Sequence, residues 1–202
     1  MRFENIYKVL EKNSYYIFSR GDVLSFYPEA DEGNLKKAIY RWKKSGRLYS
    51  LKRGLYELTY PRARDIPDMY IANKLYAPSY VSLETAMSYY SIIPEVSMAV
   101  TSITTKPTRK FRNKHGLFSY RTIKSYAFTG YFVERYKNFD ILIAEPEKAL
   151  IDYLYFKTYH DKKFELKDER LDREALSGLK RRKLDRYAKL YGINLRELYA
   201  YL

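Results

Sequence analysis

Polar and basic side chains recur on one face of the segment 34–45, where they are suited to binding a polyanion. If this segment is a helix, Leu35, Ile39 and Trp42 lie at i, i+4 and i+7 and share the face that packs into a core. The opposite face then carries six side chains, none of them acidic: Asn34, Lys36, Lys37, Tyr40, Arg41 and Lys44. Lysine and arginine on one exposed surface neutralise phosphates, so this face predicts a nucleic-acid site.

A second basic pair lies in the turn that follows this segment. Two short runs of strand-forming residues, 47–51 and 55–58, flank Lys52, Arg53 and Gly54, which predicts a β-hairpin. Gly54 is expected to have a left-handed backbone, which glycine adopts at least cost. Because a basic helix and a basic turn converge on one surface, we interpret them as one DNA interface. A solvated helix face beside an ordinary hairpin is the alternative.

A third basic segment spans residues 106–114 and contains no acid. Its basic residues are Lys106, Arg109, Lys110, Arg112 and Lys114. We expect a loop between two strands, with Phe111 available to stack on a base. Two interpretations stay open: a second contact with a polyanion, or a solvated loop that aids solubility.

Residues with the chemistry of an enzyme are sparse. The chain has no cysteine and only two histidines, His115 and His160, which excludes disulfides, cysteine nucleophiles, thiolate zinc sites and histidine-rich metal sites. Phosphate-binding glycine loops and the Gly-x-Ser-x-Gly elbow are also absent from the sequence. We therefore predict no enzymatic activity, no cofactor and no metal.

Two short acidic motifs are the candidates for a contrary interpretation. The segment 145–152 concentrates acids, and a carboxylate pair there is a possible catalytic set. Acids also stabilise the start of a helix, and Lys148 with Asp152 forms an i, i+4 pair worth about a few tenths of a kcal/mol. The segment 165–167, Glu-Leu-Lys, matches a short fragment of metal-dependent nuclease sites. A nuclease is therefore the alternative function.

The elements that must position the first basic face are three helices and a hairpin. Apolar residues at helical spacing begin the chain, and Ser19 is placed to cap a short second helix that Pro28 stops. Asn34 is expected to cap the third helix, and Gly46 to end it. Three helices followed by a hairpin predict a winged helix-turn-helix whose third helix enters the major groove.

Prolines 61 and 67 bracket a candidate linker, which predicts a DNA-binding domain over 1–60, a linker over 61–67 and a second domain over 68–202. The second domain is expected to be mixed, with a small sheet and C-terminal helices, so the fold class is α+β. Its predicted helices cover 69–76, 82–90, a segment opening at Pro146, 172–191 and a last short helix after Asn194. Its predicted strands cover 97–104, 117–123, 131–136 and 139–144.

Composition agrees with a folded protein that has an anionic partner. The formal net charge is +14, from 38 lysines and arginines against 24 acids. Aromatic residues make up 17% of the chain and include 24 tyrosines, enough for a packed core. Neither a secretory signal nor a run of apolar residues long enough for a membrane span occurs in the sequence. We expect a cytoplasmic protein without a membrane partner.

Three stretches, in this order, carry a resemblance to a known family. They are Arg53-Gly-Leu-Tyr56; Tyr80-Val-Ser-Leu-Glu-Thr-Ala-Met-Ser-Tyr-Tyr-Ser-Ile-Ile-Pro94 followed by Val100-Thr-Ser; and Glu145-Pro-Glu-Lys-Ala-Leu-Ile-Asp-Tyr153. With them the chain resembles the AbiEi family of bacterial type IV antitoxins and related transcriptional regulators. The resemblance covers the chain to about residue 158 and weakens afterwards.

The resemblance implies a winged-helix autorepressor that binds the double-stranded operator of its own operon. It also implies a C-terminal domain that counters a nucleotidyltransferase-like toxin in phage defence by abortive infection, without a stable complex between the two proteins. Relatives include stand-alone regulators, so a winged-helix regulator without a toxin partner stays open. A winged helix that mediates protein contacts is a further alternative, and it would lack salt-sensitive DNA binding.

Overall fold

The chain is mixed α+β and forms two compact units, Met1–Ile66 and Pro67–Leu202, with a three-stranded sheet and a six-stranded sheet. The computed structural model describes residues 2–61, 65–95, 97–160, 166 and 169–201. The boundary between the units lies within the segment 61–67.

The first unit alternates short elements around one apolar core. They are α1 (Phe3–Lys12), β1 (Ile17–Ser19), α2 (Arg20–Phe26), α3 (Glu32–Lys44), β2 (Leu48–Lys52) and β3 (Leu55–Leu58). The sheet is antiparallel, in the order β1-β3-β2. Its core brings together the apolar sides of all three helices, with Phe3, Leu10, Leu35 and Trp42 buried among them.

Capping residues decide where the two middle helices begin. Ser19 caps α2 as predicted, because its hydroxyl accepts from the backbone N–H of Asp22 at 3.2 Å while the Asp22 carboxylate accepts from that of Ser19 at 2.6 Å. The predicted cap of α3 was wrong. Asp31 caps this helix by accepting from the backbone N–H of Asn34 at 2.7 Å, which places Asn34 inside the first turn.

The second unit surrounds its sheet with helices. Its elements are α4 (Asp68–Leu75), β4 (Ser79–Val81), α5 (Leu83–Tyr89), β5 (Ala99–Thr104), β6 (Arg109–Asn113), β7 (Gly116–Thr122), a 3₁₀ turn (Ser125–Ala127), β8 (Tyr131–Tyr136), β9 (Phe139–Ala144), α6 (Pro146–His160), α7 (Arg173–Ser177), α8 (Arg181–Tyr191) and α9 (Arg196–Tyr201). The strand order is β6-β7-β5-β4-β9-β8, with β5–β7 and β4–β9 parallel and the other pairs antiparallel.

Helices cover both faces of this sheet. On one face the Tyr120 hydroxyl donates to the backbone carbonyl of Ala72 in α4 at 2.7 Å. On the other face the Tyr80 hydroxyl donates to Asp152 in α6 at 3.0 Å. Both tyrosines are fully buried, because the strands between the two helical layers present large side chains to each of them.

Two predictions about the second unit were wrong. The sheet is larger than expected, because the basic segment 106–114 is mostly the strand β6 rather than a loop. The predicted helix over 172–191 is two helices, α7 and α8, separated around Gly178, and Lys180 precedes α8. Glycine lowers helix stability by about 1 kcal/mol relative to alanine, so a break at Gly178 costs little.

The predicted β8–β9 hairpin is confirmed, with Lys137 and Asn138 in its turn at φ of 47° and 67°. Pro146 opens α6 as predicted. No helix within the described part of the chain has the length and apolar character needed to cross a membrane.

Candidate nucleic-acid interface

Helix α3 packs one face into the core of the first unit and exposes the other. Leu35, Ile39 and Trp42 are buried as predicted, and the Trp42 ring packs edge-on against Phe3 with centroids 5.4 Å apart. Gly46 ends the helix at φ +69°, where its N–H donates to the Lys43 carbonyl at 3.1 Å. The helix is therefore fixed at both ends and along its buried side.

All six side chains predicted for the outward face of α3 are exposed: Asn34, Lys36, Lys37, Tyr40, Arg41 and Lys44. Five of them, together with Gly33, line a surface groove of about 900 Å³. The sixth, Lys44, places its ammonium 5.3 Å from the centroid of the Tyr40 ring. The structure thus brings the predicted set together on one surface.

The cations of this face are open to an external partner. Among the described residues, the side chains of Lys36, Lys37 and Arg41 form no ion pair and no hydrogen bond. The acid at the start of the helix, Glu32, pairs instead with Arg20 of α2 at 3.1 Å. Unpaired cations on one exposed helix face are suited to binding phosphates.

Sequence reasoning missed two residues of this surface. Lys43 is exposed and lies seven residues after Lys36, a spacing that continues the same stripe of the helix. Gly33 lines the groove, and a Cβ there would lie 3.3 Å from Oδ1 of Asp31. Glycine therefore leaves room for the carboxylate that caps the helix.

The β2–β3 turn has the backbone predicted for it. Lys52 pairs with Leu55 across the hairpin, Arg53 and Gly54 make the turn, and Gly54 has φ +82°. The pairing shifts register between Ser50 and Lys52, which marks a bulge just before the turn. Arg53 is exposed whereas Lys52 is half-buried, so Arg53 presents the more accessible charge.

Gly54 permits a direct test of the turn. We expect Gly54→Val to cost about 1–2 kcal/mol, because a residue with a Cβ is strained at positive φ. If the turn is part of a DNA interface, distorting it should also weaken binding to duplex DNA. A Cβ at this position would meet no atom within 4 Å, so the strain is in the backbone alone. Binding to one duplex at fixed salt and thermal unfolding measure the two effects.

Gly54→Asn is the matched control, because asparagine tolerates a left-handed backbone. It is expected to keep most of the affinity. Equal, wild-type behaviour of the valine and asparagine variants would show that the turn conformation is irrelevant to binding.

The second basic set is organised differently from the prediction. Lys106 donates to the backbone carbonyl of Ala77 at 2.6 Å, and the Arg109 guanidinium lies 5.8 Å from the centroid of the Tyr76 ring. Phe111 was expected to be available for stacking on a base, but it is half-buried against Tyr76 and Tyr120, at 5.6 and 5.7 Å between ring centroids. Of this set, Lys110 and Arg112 are exposed on the opposite side of β6, while Lys114 lies in the turn. The second polyanion contact stays a prediction.

Within the acidic start of α6, Lys148 and Asp152 form a buried cluster with the hydroxyl groups of Tyr80, Ser82 and Tyr191. Lys148 and Asp152 are completely buried and form an ion pair. The predicted i, i+4 pair is confirmed, but it is buried, so the few tenths of a kcal/mol expected for an exposed pair do not apply to it. Ser82, predicted as a cap of α5, instead donates its hydroxyl to Asp152 at 2.8 Å. The pKa of Lys148 is lowered because burial disfavours the ammonium more than Asp152 stabilises it.

Across the described residues, no group of three or more histidines, aspartates or glutamates is arranged to hold a metal ion. The motif over 165–167 lies outside the described residues except for Leu166.

Comparison with protein-family models and with curated proteins gave no match to this chain.

Proposed function

We propose that the first unit is a winged helix-turn-helix that binds double-stranded DNA. In this proposal α3 is the recognition helix in the major groove, and the β2–β3 turn is the wing. The observation that carries the proposal is the exposed face of α3, where Lys36, Lys37 and Arg41 line a groove without ion-pair partners among the described residues.

The order of elements supports this assignment. Helices α2 and α3 are joined by a short turn, and α3 is followed directly by the β2–β3 hairpin. Strand β1 pairs with β3, so the hairpin is anchored to the helical part of the unit. A helix supported in this way enters the major groove with its exposed face toward base edges and phosphates, while the Arg53 turn reaches the adjacent backbone.

The sequence resemblance adds a biological setting to the proposal. The target would be the operator of the protein's own operon, and the protein would act as a repressor. Its second unit would counter a nucleotidyltransferase-like toxin without a stable complex. A stand-alone regulator with the same DNA interface is the runner-up. The buried position of Lys148 and Asp152 favours both over an enzyme, because a catalytic group must reach its substrate.

Replacing Lys36, Lys37 and Arg41 together by alanine tests the DNA interface. We expect weaker binding to duplex DNA, and a slope of log K against log salt that becomes shallower by about 0.9 for each phosphate that the protein no longer neutralises. All three side chains are exposed, so the variant is expected to fold. Titrations at several salt concentrations, with circular dichroism to check folding, give both quantities.

A control with the same change of charge is available at α1. Arg2, Lys8 and Lys12 are also exposed basic residues of the first unit, and replacing these three by alanine is expected to change the slope much less. If both triple variants weaken binding equally, affinity depends on net charge and not on the α3 face. Cleavage of DNA that requires magnesium would instead point to the nuclease alternative.

A further inference from the structure

The two edges of the six-stranded sheet are protected to different degrees. Edge strand β6 carries Arg109, Lys110 and Arg112, and charges on an edge are a common guard against pairing with another strand. Edge strand β8 has no such row of like charges. Its Phe132 and Val133 are 37% and 58% exposed, and its two charged residues have opposite signs.

The β8–β9 turn determines which backbone groups of β8 point away from the sheet. A two-residue turn with positive φ at both positions is closed by a hydrogen-bonded pair, here Tyr136 with Phe139. Hydrogen-bonded pairs then alternate along the ladder. The N–H and C=O groups of Tyr131, Val133 and Arg135 therefore face the open edge.

We propose that β8 is a homodimerisation surface, on which it pairs antiparallel with β8 of a second copy about a two-fold axis at Val133. This register places Val133 opposite Val133 of the second copy, and Tyr131 opposite Arg135. Each of the three residues whose backbone N–H and C=O groups face the open edge then lies opposite a residue of the second copy whose groups also face outward. The three pairs form six backbone hydrogen bonds between the two strands. The most exposed apolar side chain of the strand lies at the centre.

Neighbouring registers are less favourable. In an antiparallel pair, residues that lie opposite each other share a face of the sheet. An axis between two residues would set neighbours in the sequence, which point to opposite faces, against each other. The axis must therefore pass through a residue. An axis at Glu134 or at Arg135 sets like charges against each other, which is destabilising. With the axis at Phe132, Arg135 would lie opposite residue 129 of the second copy. Residue 129 precedes β8, so Arg135 would have no strand residue to pair with. Only the axis at Val133 keeps the full ladder without like-charge pairs.

The β8 edge is better suited to pairing with β8 of a second copy than with β6 or with an unrelated basic strand. The strand has no net charge and an apolar centre, so it is complementary to itself, whereas β6 would oppose cations to cations in any antiparallel pairing with its own copy. Two short strands bury less than the roughly 1,200 Å² of a stable complex. The dimer is therefore expected to depend on protein concentration.

A single cysteine tests the register, because the natural chain contains none. In Val133→Cys, the two Cα atoms of a hydrogen-bonded pair would lie about 5.5 Å apart, inside the roughly 4.4–6.8 Å span of a disulfide. In the control Arg135→Cys, the two cysteines would be separated by about 13 Å along the strands. Under mild oxidation of the folded full chain, we expect a covalent dimer from the first variant and little from the second.

Sedimentation of the chain without DNA provides the second measurement. The wild type and Val133→Thr are expected to associate as concentration rises, and Val133→Lys to stay monomeric because two ammonium groups would meet at the axis. Equal cross-linking of both cysteine variants, a wild type that is monomeric throughout, or a dimer that survives Val133→Lys would each overturn the proposal. Since DNA is absent, these outcomes are independent of the DNA-binding assignment.

Discussion

Replacing Asp152 by alanine is expected to lower the free energy of unfolding by about 3–5 kcal/mol, since it leaves a buried charge without its partner. One carboxylate oxygen accepts from Lys148 and Tyr191, and the other accepts from Tyr80 at 3.0 Å and Ser82 at 2.8 Å. Four donors occupy the whole acceptor capacity of the carboxylate. The substitution would deprive all four donors of this acceptor, and three of them, Lys148, Tyr80 and Ser82, are fully buried.

The ammonium of Lys148 is satisfied in the same way. Its three N–H donors reach Asp152, the Tyr80 hydroxyl at 2.9 Å and the Tyr191 hydroxyl at 2.8 Å. The cluster therefore joins β4, α6 and α8 through one fully bonded set. Because an apolar pair of similar volume removes both charges at once, Lys148→Met with Asp152→Leu is expected to cost less than Asp152→Ala alone.

The exposed pair Arg135–Asp140 supplies the control. Its atoms are 2.8 Å apart, but the side chains are 65% and 61% exposed. Asp140→Ala is expected to cost less than about 1 kcal/mol. Urea unfolding followed by far-UV circular dichroism measures all variants. An Asp152→Ala variant as stable as Asp140→Ala would mean that the cluster contributes little to folding.

Local signals in the sequence were sufficient for much of the fold. The apolar spacing of Leu35, Ile39 and Trp42 defined the buried side of α3, and the exposed basic side followed from it. Gly46 and Gly54 marked positive φ correctly, because few other residues adopt that backbone cheaply. These features depend on neighbours within a few residues, which a sequence displays directly.

The errors arose where distant residues decide the outcome. An i, i+4 pair has the same spacing on a surface and in a core, and Lys148 is buried by Tyr80 and Tyr191, far away in the sequence. The sequence predicts a loop at β6 because three exposed cations obscure the alternation, in which Phe111 and Asn113 are the half-buried residues of the strand. Asp31 and Asn34 are both good caps, and the sequence alone did not discriminate between them.

Gly130→Ala is expected to destabilise the second unit by about 2–5 kcal/mol, from backbone strain and overpacking together. Gly130 has φ +75°, and a Cβ there would lie 2.6 Å from the ring of Tyr187, far inside contact distance. That ring cannot move freely. The Tyr187 hydroxyl donates to Glu145 at 2.6 Å, and Tyr187, which lies in α8, is only 1% exposed to solvent.

Gly192→Ala separates the two contributions. Gly192 has a similar φ of +66°, but a Cβ there would meet no atom within 4 Å. This variant is therefore expected to show the backbone strain alone, about 1–2 kcal/mol. The difference between the two alanine variants measures the collision with Tyr187.

A double-mutant cycle with Tyr187→Ala completes the test, because coupling between the sites appears as non-additivity. Once the ring is removed, Gly130→Ala is expected to cost no more than Gly192→Ala does. Thermal or urea unfolding of the four proteins of the cycle gives the coupling energy. If the losses of unfolding free energy from Gly130→Ala and Tyr187→Ala are additive, the Tyr187 ring does not collide with a Cβ at position 130. In that case α8 is held by its other contacts.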